Sequence, residues 1–267
     1  MRIYSWNVNG IRSAEKKGFA DWFNQTRPEL LCLQEIRAEK EQVPESIVAP
    51  EGYFCYWNSC QKKKGYSGTA ILSQIEPDSV EYGFGIDEFD EEGRVVQLVF
   101  PDWVLNSIYF PNGGQGEDRV DYKLRFYDAF LDNCLSWIKR GRHVVTLGDY
   151  NTCHTEMDIA RPAENENVSG FLPVERAWID KYIAAGFEDT FRTLHPDARD
   201  AYSWWSNRAN SRARNIGWRI DYAFVDAGLS QNVSDAQIHT EVLGSDHCPI
   251  SVDLEMPFPP ISTEKQE

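Results

Sequence analysis

The chain is short of the patterns that metal ribbons, disulfide scaffolds and membrane spans require. Its six cysteines are scattered as Cys32, Cys55, Cys60, Cys134, Cys153 and Cys248, with no C-x-x-C pair. Neither a zinc ribbon nor a dense disulfide framework is therefore expected, and a reducing compartment suits the thiols. The five histidines, His143, His154, His195, His239 and His247, include no H-x-x-x-H pair, so the spacing gives no basis for zinc ligation by imidazole. No apolar run reaches the roughly 18 residues of a membrane span, and the run between Arg2 and Asn7 is too short for a signal peptide. A cytoplasmic protein without membrane association is expected. Linkers rich in Gly, Ser or Pro and short-period repeats are also missing, which favours a single domain in 267 residues.

Positive charge is scarce as well: Lys+Arg number 27 against 42 for Asp+Glu, a net charge of -15. A nucleic-acid binder ordinarily carries a basic footprint, so this balance speaks against one at first sight. Steering depends on local rather than net charge, however, and carboxylates gathered around a divalent cation would add to the negative count. Two basic clusters exist, Gln61-Lys62-Lys63-Lys64-Gly65 and the stretch from Arg208 to Arg219 that includes Arg212 and Arg214. Either one alone could equally be a solvated loop.

Hydrophobic residues at 42%, with 13% aromatic, are enough for a substantial core. Apolar runs of strand length recur at Ile3 to Trp6, Leu30 to Leu33, Ala70 to Leu72, Val95 to Phe100, Val104 to Ile108, Val144 to Leu147, Ile220 to Val225 and Ile250 to Leu254. Helix patterns lie between them. The clearest spans Asp118 to Arg140, where Tyr122, Phe126, Phe130, Cys134 and Ile138 repeat at four-residue spacing and predict one buried face before Gly141 stops the helix. Lys17 to Thr26 and Val174 to Ala185 also read as helices, ahead of Pro28 and Gly186. The reading is an α/β domain over residues 1–256, two packed sheets with outer helices. The tail 257–267 lacks periodicity and is expected to be disordered or loosely attached.

Several of these runs end in polar residues. Ile3 to Trp6 leads into Asn7 and Asn9, Leu30 to Leu33 into Gln34 and Glu35, Val144 to Leu147 into Gly148, Asp149 and Asn151, while Asp246 and His247 precede Ile250 to Leu254. In α/β sheets ligands bind outside strand ends, where polar groups gather while the apolar run anchors them. Singly, each is an ordinary turn residue; together they describe a site. Oxygen donors from Glu35, Asn7 and Asp246 suit a hard cation, Mg²⁺ or Mn²⁺. Asp221, in Ile216-Gly217-Trp218-Arg219-Ile220-Asp221-Tyr222, and His247 could pair across the fold, an arrangement that holds an imidazole for work on phosphate esters.

Taken in order, Trp6-Asn7-Val8-Asn9-Gly10-Ile11-Arg12, Leu33-Gln34-Glu35, Gly65-Tyr66-Ser67-Gly68, Glu92-Gly93-Arg94, Tyr109-Phe110-Pro111-Asn112-Gly113, Gly148-Asp149-Tyr150-Asn151, Gly170-Phe171-Leu172-Pro173, the Asn215 to Tyr222 stretch and Gly244-Ser245-Asp246-His247-Cys248-Pro249 resemble the motif set of the exonuclease III family of apurinic/apyrimidinic (AP) endonucleases. The resemblance runs from about Arg2 to Leu254. It implies a four-layer α/β sandwich with two central mixed β-sheets flanked by helices. It also implies Mg²⁺-dependent hydrolysis of the phosphodiester 5′ to an abasic site in double-stranded DNA, leaving a 3′-hydroxyl, alongside 3′-5′ exonuclease and 3′-phosphodiesterase activity. The expected partner is a duplex with abasic or 3′-blocked sites, met by a monomer that in a prokaryote would work at the nucleoid. By the same resemblance Glu35 is the main metal ligand, with Asn7 near the metal, Asn9 beside it and Asp246 close to its waters. Asp149 orients or deprotonates the attacking water, Asn151 holds that water or the phosphate, Tyr109 and Asn112 contact the scissile phosphate, and Asp221 pairs with His247.

Trp204, Trp205 and Trp218, separated by basic and polar residues, suit stacking and phosphate contact. Core packing is the other reading, with Trp205 expected to be the most core-like. The resemblance places Trp204, Trp218 and Ile220 around a small pocket for a flipped-out abasic sugar, selecting damage by shape. The chain departs from the family pattern at three substrate positions. Gln115 stands where some relatives have Arg, Arg208 where others have Met, and Arg37 where the family often has Lys, a change of geometry at constant charge. Two other functions stay open at this point: a less specific phosphodiesterase acting on undamaged nucleic acid, lipid or inositol phosphates, and a non-catalytic DNA-binding module.

Overall fold

The computed structural model describes residues 1–255, so the tail 257–267 lies outside the described residues. All eight apolar runs are strands. β1 (Arg2–Asn7), β2 (Leu30–Gln34), β3 (Phe54–Asn58) and β4 (Thr69–Ser73) belong to one sheet, and β5 (Ser79–Tyr82), β6 (Val95–Val99), β7 (Trp103–Tyr109), β8 (His143–Asp149) and β9 (Phe187–Asp189) to a second. β10 (Trp204–Trp205) and β11 (Gly217–Trp218) form a separate ribbon, β12 (Asp221–Asp226) joins the second sheet, and β13 (Val233–Ile238) and β14 (Ile250–Leu254) return to the first. The spatial orders are β13-β14-β1-β2-β4-β3 and β5-β6-β7-β8-β12-β9. Each sheet is mixed, with one parallel pair at its centre, β1 beside β2 and β7 beside β8.

Alternation along the strands builds the layers. Ile3, Leu30 and Cys32 face Leu105, Leu147 and Val225 in the core between the sheets. The opposite faces are covered by helices: Tyr4, Trp6, Leu31 and Leu33 pack on Phe19 and Phe23, and Val104, Ile108, Val144 and Phe224 pack on Phe126, Phe130 and Trp178. Helix, sheet, sheet and helix make four layers around buried apolar faces.

The predicted helices are present as Phe19–Thr26, Glu117–Lys139 and Pro173–Ala184. One expected core position is wrong. Ile138 is 37% exposed, and Trp137 at 3% takes its place. A strict four-residue step advances about 400° on a helix of 3.6 residues per turn, so the series drifts by roughly 40° each time and has left the buried face by Ile138. Strands without an expectation, such as β3, β5 and β13, lie at sheet edges. Their sequences are mixed because only part of each faces a core.

This topology gathers one set of strand ends. Asn7 is in register with Gln34 in the parallel β1/β2 pair, and Tyr109 with Asp149 in β7/β8. Asp221 opens β12 directly opposite Asp149. β14 runs antiparallel to β1, so the residues before Ile250 arrive at the same end. Beneath them the inward positions turn polar: Ser5 Oγ donates to Gln34 Oε1 (3.2 Å), and Gln34 Nε2 donates to Ser107 Oγ (3.2 Å) across the two sheets. That bridge fixes one sheet against the other just below the gathered ends.

Candidate active site

Asn7, fully buried at the end of β1, links the two sheets chemically. Its Nδ2 donates to Asp149 Oδ2 (2.8 Å) and Glu35 Oε2 (3.1 Å), while its Oδ1 accepts from the Asn9 N–H (3.0 Å). Asp149 Oδ1 accepts the Asn151 N–H (2.7 Å), and Asn151 Nδ2 reaches both Phe110 O (2.9 Å) and Asp149 Oδ2 (3.3 Å). Asn112 Nδ2 donates to Asn151 Oδ1 (3.1 Å). Glu35 itself has a left-handed backbone (φ 56°), unfavourable for a residue with a Cβ. Such local strain is characteristic of functional turns. Glu35 Oε1 is also gripped by the Arg37 guanidinium.

His247 faces this cluster. Its Nδ1–H donates to Asp221 Oδ2 (2.8 Å), which also accepts from Ser203 Oγ (2.6 Å), and its Nε2 lies 3.9 Å from Asp149 Oδ2. Burial works against the imidazolium, but the Asp221 carboxylate outweighs it, and the ring is pushed up to about 10. Burial also raises the Asp149 carboxyl, to about 7, although His247 pulls it back. A carboxylate that accepts a proton near neutrality thus lies beside a ring that keeps its own. Asp149, Asp221 and His247 offer ligand atoms within 4.8 Å of one another. Asp221 Oδ2, however, is already engaged by two donors behind the ring, so the trio reads better as a hydrogen-bonded relay than as a metal cage.

Beyond His247, Asp246 Oδ1 accepts from Asn9 Nδ2 (2.8 Å) and Oδ2 from Trp204 Nε1 (3.2 Å). Burial favours the neutral acid, yet His247 and these donors hold Asp246 below its ordinary range. Trp204 pairs with Trp218 across the β10/β11 ribbon, their rings 5.8 Å apart at 85°, and both pack with Ile220 on Phe171 and Cys153. Trp205 is 2% exposed and belongs to the core.

A cleft of about 510 Å³ brings these groups together. Asn9, Glu35, Arg37, Tyr109, Asn112 and Gln115 line one part, and Asp149, Asn151, Asp246 and His247 the floor. Trp204, Trp218 and Ile220 form the far wall. Asn7 and Asp221 stand behind the floor, buried, and Arg208 is exposed outside the lining. The second basic cluster is partly structural. Arg212 donates to Ser245, Thr240 and Val242 carbonyls and stacks on Trp205, and buried Arg219 bridges Asp158 and Asp189. A further 410 Å³ recess beside the cleft is lined by Arg12, Lys16 and Arg37, so the basic surface sits locally at the site despite the acidic whole.

The match to a family model decides what this arrangement is. Residues 4–247 match the description "Endonuclease/Exonuclease/phosphatase family". The chain belongs to that family. An exodeoxyribonuclease of Bacillus subtilis (strain 168) is 42% identical over 94% of this chain and 98% of its own length. The DNA repair nuclease APEX1 of Danio rerio is 40% identical over 95% of this chain and 82% of its own. Among solved structures, AP endonuclease LMAP from Leishmania major superposes with a TM-score of 0.87 at 28% identity, covering 96% of this chain and 88% of that one. These relatives place the chain among the exonuclease III-like members of the family, phosphodiester hydrolases with the sandwich found here.

The sequence assigns no role to Ser203 or Ser169, and Tyr66 and Arg94 enter only as members of motifs. Ser203, just ahead of β10, accepts the Ile220 and Asp221 N–H groups on its Oγ (3.2 and 3.1 Å). Arg94, buried between Tyr66 and Tyr109, carried only its place in a motif.

Proposed function

We propose that this protein is a Mg²⁺-dependent DNA repair nuclease, Mn²⁺ substituting, that cleaves the phosphodiester 5′ to an abasic site in duplex DNA. It would also trim 3′ ends as an exonuclease and 3′-phosphodiesterase, acting as a monomer in the cytoplasm. The observation that carries the reading is the placement of Asp149 and a charged His247 3.9 Å apart on the floor of a cleft walled by Trp204, Trp218 and Ile220.

The donor set fits a hard cation. Glu35, Asp149 and Asp246 present carboxylates to one cleft, Asp149 at a raised pKa that a nearby positive charge would relieve, and the one imidazole on the floor is tied at Nδ1. Glu35 would be the principal ligand, with Asn7 orienting it, Asn9 beside it and Asp246 on the outer side. When bound, the ion would supply Lewis-acid stabilisation of negative charge on phosphate oxygens.

The chain's own residues supply the rest. Asp149, held by Asn7 and Asn151, takes a proton from the attacking water, which Asn151 helps to place. As the water oxygen bonds to phosphorus the bond to the upstream 3′-oxygen breaks, and that oxygen leaves with its electron pair and takes a proton from solvent to become the 3′-hydroxyl. His247, kept charged by Asp221, donates to a non-bridging phosphate oxygen as negative charge builds. The burial-raised Tyr109 phenol stays protonated and, with Asn112, offers further donors. Trp204, Trp218 and Ile220 accept a sugar without a base, and Arg37 and Gln115 approach the backbone from the opposite lip, with Arg208 outside. General acid–base action contributes about 10² to 10⁴ and the preorganised donors act on top of it.

A competition assay tests the reading: an abasic duplex against undamaged duplex and inositol phosphate, with Mg²⁺, Mn²⁺ or chelator. Preferential, chelator-sensitive incision of the abasic strand is expected. Equal turnover of undamaged or non-nucleic phosphodiesters would assign a less specific phosphodiesterase, and binding without scission a non-catalytic module.

A further inference from the structure

A buried charge pair braces the cleft without facing it. Lys123, on the helix Glu117–Lys139, and Glu175, in the first turn of the helix Pro173–Ala184, have fully buried side chains 2.6 Å apart. All three Lys123 protons have acceptors: Glu175 Oε1 (2.6 Å), Asn151 O (2.7 Å) and Thr152 Oγ1 (2.8 Å). Glu175 in turn accepts from Ser169 Oγ (2.9 Å), the Gly170 N–H (2.5 Å) and the Leu172 N–H (3.1 Å). The pair is saturated.

Stability alone explains it poorly, because removing two charges from water is costly and packed apolar substitutes are often as stable. What the pair provides is direction. Its hydrogen bonds end on two backbone segments, 151–152 and 169–172, which the Cys153 N–H ties together through Gly170 O (2.8 Å). One segment carries Asn151, whose left-handed backbone (φ 51°) aims its amide at Asp149. The other carries Gly170, which lies so close under Trp218 that an added Cβ would come within 2.7 Å of the ring. A shift of either segment changes the distance between the Asp149 floor and the Trp218 wall.

We propose that Lys123 and Glu175 are positioning residues for phosphodiester hydrolysis: their buried ion pair fixes Asn151 and the Ser169–Leu172 turn at one spacing, and with it the distance from the proton acceptor to the aromatic wall. This rests on the reading of the cleft given above. Misplacement of reacting groups by about 1 Å costs on the order of a hundredfold, and it does so in turnover rather than in capture of the duplex.

The test compares Lys123→Met and Thr152→Val, which removes one Lys123 acceptor together with a Tyr127 hydroxyl contact, with Leu98→Ala, a cavity in the core between the sheets chosen to lower Tm comparably. Each is assayed well below its own Tm. Lys123→Met is expected to lose about thirtyfold or more in kcat with KM within about threefold, and Thr152→Val severalfold, while Leu98→Ala keeps kcat within about twofold. If Lys123→Met turns over like Leu98→Ala at equal loss of Tm, the proposal is wrong. Should Lys123→Met fail to fold, a wild-type kcat for Thr152→Val overturns it instead. Wild-type turnover of an abasic duplex reports on the functional reading separately, and the variant-to-wild-type ratio is measured on whichever phosphodiester the wild type cleaves.

Discussion

Replacing Asp221 by Asn removes the charge that holds His247 ionised and leaves its shape. In the native protein the ring is pushed up from 6.5 to about 10, which corresponds to roughly 5 kcal/mol of preference for the imidazolium at about 1.4 kcal/mol per pH unit. With Asn at 221 burial is opposed only by Asp149 and Asp246, and the ring should titrate at least about two pH units lower. At about pH 9 that leaves on the order of a tenth of the molecules charged, against most of them in the native protein. Loss of the tautomer and orientation set by the 2.8 Å Asp221 bond adds another one to two powers of ten, for a total loss in kcat of about 10² to 10³. Single-turnover cleavage of an abasic duplex from about pH 6 to about 10.5 reads both effects. The wild-type profile should rise through neutrality as Asp149 ionises, earlier when a cation is bound, and fall near 10; the variant's falling limb should move toward neutral pH. Turnover within about threefold of wild type, with the falling limb still near 10, would refute the role given to His247.

Glu35→Gln should raise the concentration of Mg²⁺ or Mn²⁺ needed for half-maximal binding by about tenfold or more in calorimetry, with Tm little changed; unchanged metal affinity would place the ion elsewhere. Trp204→Phe keeps an aromatic wall but loses the indole N–H on Asp246, and its ratio of uracil-duplex to abasic-duplex cleavage should differ from wild type, whereas equal ratios would show that the indole does not set selectivity. Tyr109→Phe should lower kcat by about ten- to a hundredfold with the duplex Kd nearly constant. Stability also carries a signature of His247: its folded pKa lies above its unfolded one, so its contribution is fully present below about 6.5 and is lost as pH rises toward 10. Urea midpoints over that range should therefore fall more steeply in wild type than in His247→Gln, once both are measured without metal.

The fold was legible wherever a strand is buried on both faces, because a run such as Val144 to Leu147 has no other use for its side chains. Edge strands such as β13, with Ser, Asp and Gln among its residues, gave no signal for the same reason. The floor of the cleft was legible because its residues follow those buried runs directly, as Asn7, Glu35 and Asp149 do, and their convergence follows from the two parallel pairs. Apart from the Asp221–His247 pair, partners brought from distant segments were not legible: nothing in the neighbourhood of Ser203 announces Asp221, and nothing in the sequence marks Glu175 as the partner of Lys123. The second basic cluster stayed open in the sequence because charge does not show its partners: in the structure Arg212 satisfies carbonyls and Arg219 carboxylates within the protein.

The central claim is that the cleft delivers water to phosphorus on the 5′ side of an abasic sugar. Incision of a duplex with one abasic site in ¹⁸O-water tests it directly, with mass analysis of both fragments. The account predicts an unlabelled 3′-hydroxyl on the upstream fragment and one ¹⁸O in the 5′-phosphate attached to the abasic sugar. A break on the 3′ side of that sugar, or an unlabelled phosphate, would contradict it.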